Sequence, residues 1–225
     1  MTAGHSHTIP SHSTRHAHMS LRIIVGPMFA GKTSEIQSVV RRFECLGKKV
    51  LVVTANIDVR YTESVDCAIT HDLVHIPAIA MPVDGLEVLL LDPRFIEATA
   101  IVVDEAQFFV NCLVPFVQSA VETFGKHVIV VGLDGDANRL PFGDILALIP
   151  LADSVEKKTA LCRRCCDGTV ALFSRARARD TASTKQIAVG GADMYEPTCR
   201  RHFLCLNLED EVLVGAGVPT NTSAS

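Results

Sequence analysis

The sequence predicts an α/β fold: a parallel sheet with helices on both faces, followed by a small metal-binding domain. Three observations predict it. Short apolar runs alternate with helix-like stretches, the pattern of parallel strands joined by crossover helices. A glycine-rich loop, Gly26-Pro-Met-Phe-Ala-Gly-Lys-Thr33, follows the first apolar run and precedes the first helix-like stretch. Two cysteine knuckles, Cys162-Arg-Arg-Cys165 and Cys199-Arg-Arg-His202, lie beyond the last run, where arginine and cysteine replace the apolar residues.

Taken in order, residues 1–19 hold five histidines (His5, His7, His12, His16, His18) among Ser, Thr and Pro. Without apolar periodicity this stretch reads as a disordered tail. Leu21-Arg-Ile-Ile-Val25 is the first strand. Ile36, Val39, Val40, Phe43 and Leu46 recur at helical spacing after the loop, and Gly47 is placed to cap that helix. Residues 49–55 read as a second buried strand. Residues 56–72 are polar and irregular. Between 73 and 100 the pattern is ambiguous, and residues 85–92 fit helix or strand. Residues 100–103 form a third strand, 108–124 a helix, 127–133 a fourth strand and 142–152 a helical stretch. A domain boundary is expected near residue 158. The organisation is thus a tail (1–19), a nucleotide-binding domain (20–158), a metal-binding domain (159–206) and a C-terminal tail (207–225).

The 225 residues suffice for one sizeable core plus a small appendage. A net charge of −4 gives no reason to expect a nucleic-acid partner. No apolar run approaches a membrane span and the N-terminus has no apolar signal core, so a cytoplasmic location is expected. Eight cysteines beside a well-filled core suggest metal rather than disulfides, as in a reducing compartment.

The loop at 26–33 fits G-x-x-x-x-G-K-[ST], and strand, loop and helix are the context that gives the pattern a mechanism. Backbone N–H groups and the helix N-terminus offer positive partial charge to a polyphosphate. Lys32 is placed to reach the β- and γ-phosphates of a bound nucleotide, and the Thr33 hydroxyl to ligate Mg²⁺. Gly26 and Gly31 permit backbone angles that a side chain would block. Asp104 and Glu105 end the third strand, where ligands gather on such sheets. Asp104 is the candidate on the Mg²⁺ side. Glu105 is free to act as a general base toward a hydroxyl acceptor, which is a poor nucleophile until its proton can leave. Cys162, Cys165, Cys199 and His202 supply four donors for a structural Zn²⁺, with Cys166 and Cys205 as nearby alternatives for one of them. Cys45, Cys67 and Cys112 are most simply core residues.

The chain resembles the type II (cytosolic-type) thymidine kinases, a P-loop family with a RecA-like sheet. The residues that carry the resemblance are Gly26 to Thr33, Asp58-Val-Arg-Tyr61, Asp104-Glu-Ala-Gln-Phe-Phe109, Gly132-Leu-Asp-Gly135, Pro141-Phe-Gly143, Cys162/Cys165, Gly190-Gly-Ala-Asp-Met-Tyr195 and Cys199/His202, in the family's order. The resemblance implies transfer of the ATP γ-phosphate to the 5′-hydroxyl of thymidine or deoxyuridine, a homotetramer, and feedback inhibition by dTTP. It implies that Gly26, Pro27, Met28, Phe29, Ala30, Gly31, Lys32, Thr33, Asp58, Val59, Arg60, Asp104, Glu105, Ala106 and Gln107 serve the donor. Arg60 would stabilise the transferring phosphoryl group, and Lys32 and Glu105 complete the catalytic set. Met28, Phe108, Leu133, Ala137, Phe142 and Tyr195 would line the nucleoside pocket. A zinc-anchored lasso, with Gln186, Ile187, Ala188, Val189 and Gly190, would hold the base through its main chain. Three residues depart from the family's usual pattern. Ala137 stands where an aromatic is common, Ser174 where a threonine is, and His202 where a fourth cysteine is.

Overall fold

The structure is a computed structural model, and it describes residues 19–56, 68–69, 75–177 and 194–205. Six strands form the main sheet: β1 (Ser20–Val25), β2 (Val50–Ala55), β5 (Ile79–Met81), β6 (Ala100–Asp104), β7 (His127–Gly132) and β8 (Ser154–Lys157). A small antiparallel pair, β3 (Ala68–Ile69) and β4 (His75–Ile76), stands apart from it. The sheet order is β5-β2-β6-β7-β1-β8, and every pairing is parallel.

Continuous apolar strands are expected when both faces of a sheet are covered. Ile24, Val52, Val102, Ile129 and Val131 pack on one face against Ile36 and Val39 of helix α1 (Lys32–Glu44). Ile23, Val53, Ile101, Val103 and Val130 pack on the other, against Phe95 of α2 (Pro93–Glu97) and Leu113, Phe116 and Val117 of α3 (Leu113–Gln118). At about 25 cal/mol per Å² of apolar area, these two cores are the main stabilising term of the fold.

Several sequence expectations are corrected. The helix expected over 108–124 begins only at Leu113 and passes into a π-type turn, Ser119–Thr123. Asn111 takes a left-handed φ of 65°, which breaks any earlier helix, and its amide is held by Asp144 at 2.6 Å. The stretches at 85–92 and 142–152 contain 3₁₀ turns, Leu86–Leu91 and Ile145–Leu151, the second with Pro150 inside. Leu46 lies past the end of α1 and is exposed, and Cys45 is exposed rather than core. Cys112 is buried, and Cys67 lies outside the described residues.

Beyond β8 the chain builds two short antiparallel ladders. β9 (Ala160–Leu161) pairs with β10 (Val170–Ala171), and β11 (Phe173–Ala176) pairs with β12 (Tyr195–Thr198). A short helix follows at 200–205. The last rung of the second ladder, Arg177 N–H to the Met194 carbonyl at 2.8 Å, closes the stem of the intervening segment.

Candidate active site

The sheet order decides the geometry of the site. β7 separates β1, which feeds the glycine loop, from β6, which ends in the two acids. With strands about 4.8 Å apart, the loop and the acids stand roughly 10 Å from each other. Val25 pairs with Gly132 and Val103 with Val130, so Gly26 and Asp104 emerge at the same carboxyl edge.

The loop itself is tightly determined. Gly26 has φ 152°, and a Cβ there would lie 2.4 Å from the Lys158 carbonyl oxygen. Gly31 is left-handed at φ 72° and caps α1. Phe29 is left-handed too, at φ 64°, although it is neither glycine nor packed, being 47% exposed. Such a residue stores about 1–3 kcal/mol of strain. Lys32 folds back on the loop, its Nζ donating to the Gly26 carbonyl at 3.1 Å and the Pro27 carbonyl at 2.8 Å. Burial lowers the Lys32 pKa, while Glu105 opposes the shift most strongly, ahead of Asp104 and Asp134. The base candidate therefore lies within the electrostatic reach of the loop lysine. Beneath the loop, Arg22 and Lys158 each pair with Glu35 and Glu156, tying β1, the first turn of α1 and the end of β8 together.

Glu105 leaves β6 at φ 51° and heads a 3₁₀ turn, Ala106–Phe108. Its amide donates to Asp104 Oδ1 at 2.9 Å. Burial, then the Glu105 charge, pushes the Asp104 carboxyl up to about 7. A buried carboxyl of this kind, with a second acid beside it, has the donor chemistry of a cation ligand. Ala106 and Gln107, counted with the donor-binding residues in the sequence, have fully buried side chains. Gln107 Nε2 donates to Glu105 Oε2, and Gln107 Oε1 accepts from the Leu133 amide at 2.9 Å. One buried amide thus joins Glu105 to the loop after β7. Gly132 and Gly143 make room for it: a Cβ would fall 2.5 Å from Gln107 Oε1 at the first and 2.1 Å from the Gln107 carbonyl oxygen at the second. Gly143 is also left-handed, at φ 61°. Gly143→Ala is expected to cost about 2 kcal/mol, or roughly 4–8 °C in melting temperature. An unchanged melting temperature would show that this loop can move off Gln107.

On the acceptor side, Phe108 and Phe142 meet edge to face with centroids 5.4 Å apart. Met28, Leu133 and Ala137 are half-buried. Burial and the nearby Asp136 carboxylate raise the Tyr195 phenol, which places β12 beside the loop after β7. Asp58, Val59, Arg60 and Gln186 to Gly190 lie outside the described residues.

The ligand atoms of Cys162, Cys165, Cys199 and His202 lie within 4.8 Å of one another. Cys165 and Cys199 sulfurs are 3.8 Å apart, and His202 Nδ1 lies 3.3 to 3.6 Å from the three sulfurs. A tetrahedron with 2.3 Å Zn–S bonds has edges of about 3.8 Å, so the set fits Zn²⁺. Burial acts to raise the Cys162 thiol, but N–H groups of Cys199, Cys165 and Arg164 and the His202 ring outweigh it and bring the thiol down to about 6. Cys166 points elsewhere, donating to the Arg163 carbonyl at 2.9 Å, and neither it nor Cys205 joins the cluster.

Sequence reasoning missed three contacts of the zinc module. The Met28 amide donates to Ser174 Oγ at 2.8 Å. Arg139 lies over the rings of Phe203 and Phe173, at 4.6 and 5.5 Å. Arg164 pairs with the buried Glu196 at 2.8 Å.

A glycine loop on one strand and an acidic pair two strands away define a P-loop nucleotide-binding protein of the RecA-like kind. The family model for thymidine kinase matches residues 19–203, and the chain belongs to the thymidine kinase family. It is 41% identical over 82% of its length to "Thymidine kinase" of Oryza sativa subsp. japonica, spanning 66% of that protein. It is 38% identical to "Thymidine kinase, cytosolic" of Homo sapiens, covering 80% of this chain and 71% of that one. It is 38% identical to "Thymidine kinase" of Fowlpox virus, covering 82% and 96%. Among solved structures, the flagellar accessory protein FlaH of Methanocaldococcus jannaschii superposes with a TM-score of 0.43 at 19% identity, over 64% of this chain and 73% of that one. That likeness is too partial to bear on function. Among the described residues no helix is long and apolar enough to cross a membrane.

Proposed function

We propose that this protein transfers the γ-phosphate of ATP to the 5′-hydroxyl of thymidine or deoxyuridine, giving the 5′-monophosphate in pyrimidine salvage. The family membership supports the substrates, and one observation supports the mechanism: the phosphate loop and Glu105 leave the same carboxyl edge of the sheet, on β1 and β6, with only β7 between them. Lys32 exchanges its two loop carbonyls for the β- and γ-phosphate oxygens. Glu105, with Oε2 held by Gln107, takes the 5′-hydroxyl proton on its other oxygen as the phosphorus is attacked. Mg²⁺, when bound, neutralises charge on the phosphate oxygens, and Thr33 and Asp104 are the residues to hold it. Arg60 is assigned to the equatorial oxygens of the transferring group. Phe108, Phe142, Leu133 and Met28 form the apolar wall for the nucleoside. The lasso main chain, Gln186 to Gly190, is assigned to the base, where N–H and C=O groups would select by leaving mismatched partners unpaired.

The deciding experiment incubates the protein with Mg-ATP and each common nucleoside in turn. Thymidine and deoxyuridine are expected to give 5′-monophosphates. Equal turnover of purine nucleosides, or ATP hydrolysis without transfer, would refute the assignment. A homotetramer and dTTP inhibition belong to the same proposal, and sedimentation and a dTTP titration test them.

A further inference from the structure

We propose that strand β11 of the zinc module is a strut for the phosphate loop, with Ser174 as the positioning residue that holds the loop in its donor-binding form. The inference rests on reading the 26–33 loop as the ATP site. It adds to the zinc module, so far a carrier of the acceptor lid, a direct part in binding the donor.

Three neighbouring loop residues carry the argument. Phe29 sits left-handed with an exposed ring, so its own side chain does not hold it there. A strained backbone of this kind persists only when its surroundings determine it. The residue before it, Met28, gives its amide to Ser174 Oγ at 2.8 Å, and Ser174 is buried. The residue after it, Ala30, packs on Ala160, Cys162, Ala171 and Cys199, the small core that includes two of the metal ligands. Both anchors of the strained residue therefore come from the zinc module. Side chains alternate faces along a strand. Ser174 meets the phosphate loop, and its neighbour Phe173, with Phe203, receives Arg139 from the loop after β7. One four-residue strand thus touches a donor loop and an acceptor loop on opposite faces.

The test uses the full chain with zinc bound. Ser174→Ala is expected to weaken binding of a non-hydrolysable imidodiphosphate analogue of ATP about three- to tenfold, the weight of one hydrogen bond. Zinc content should stay at one per chain. Ser174→Thr, which keeps the hydroxyl, is expected to restore the affinity to within about twofold. A merely packing role predicts the reverse order, since alanine fits the space more easily than threonine. Unchanged analogue affinity in Ser174→Ala, or failure of threonine to restore it, would overturn the proposal. A second measurement needs no variant and no nucleotide. In the parent protein the Met28 amide should exchange with solvent at least tenfold more slowly than the Phe29 amide, because Ser174 occupies it. Equal exchange of the two would also overturn the strut, whatever substrate the enzyme proves to phosphorylate.

Discussion

Glu105→Gln is expected to lower kcat by about 10²- to 10⁴-fold, the usual weight of a positioned general base. The affinity for the imidodiphosphate analogue changes little, because the loop amides and Lys32 are untouched. Shape and burial are conserved, and Gln107 can still hold the side chain through its oxygen. What disappears is the ability to take a proton from the acceptor hydroxyl. Steady-state kinetics with thymidine, beside calorimetry with the analogue, separates the two effects. Turnover within threefold of the parent would mean that another group accepts the proton, and the reading of the strand-end pair would have to change.

Cys162→Ser is expected to have the second largest effect. Cys162 is buried, its sulfur receives the Cys199 amide at 3.3 Å, and its low thiol pKa favours the thiolate that zinc requires. A structural zinc site supplies on the order of 10 kcal/mol to the fold around it. Among its described residues, the module from β9 to the helix at 200–205 buries few large side chains besides Phe203, so it is expected to depend on that contribution. The variant should lose its zinc, and amides of β9 to β12 should lose protection from hydrogen exchange. Amides of β1, β6 and β7 should keep theirs, since both sheet cores are made without the module. Thymidine phosphorylation should fall below detection. A zinc-free variant with protected β11 and β12 amides and parental activity would show that the metal is dispensable.

The strands β1, β2, β6 and β7 were legible in the sequence because each is buried on both faces and therefore continuous in apolar residues. The edge strands β5 and β8 were not. Ser154-Val-Glu-Lys157 is short and largely exposed, so it carries no run of its own. The break before α3 was not legible because it rests on the left-handed backbone of the single residue Asn111, inside a stretch whose Phe, Val and Leu otherwise read as helical. In the site, motifs with local spacing could be read: the glycine loop, the acidic pair and the four zinc ligands. The roles of Gln107, Ser174 and Arg139 could not. Gln107 reaches Leu133 across 26 positions and Ser174 reaches Met28 across 146, and ties of that length leave no local pattern. The glycines at 132 and 143 record the same constraint indirectly, by the side chains they lack.

The tip of the loop after β7 is self-sufficient. Asp136 Oδ1 accepts from the Asn138 and Leu140 amides at 2.8 and 2.9 Å, and the Asp136 amide closes on the Leu140 carbonyl at 2.9 Å. Ala137 rides inside this Asx turn and contributes nothing to its closure. Under the proposed function, position 137 is therefore a place where nucleoside preference is open to retuning by mutagenesis at small risk to folding: an aromatic ring added there would enlarge the surface available for stacking, while the hydrogen bonds that shape the turn stay in place.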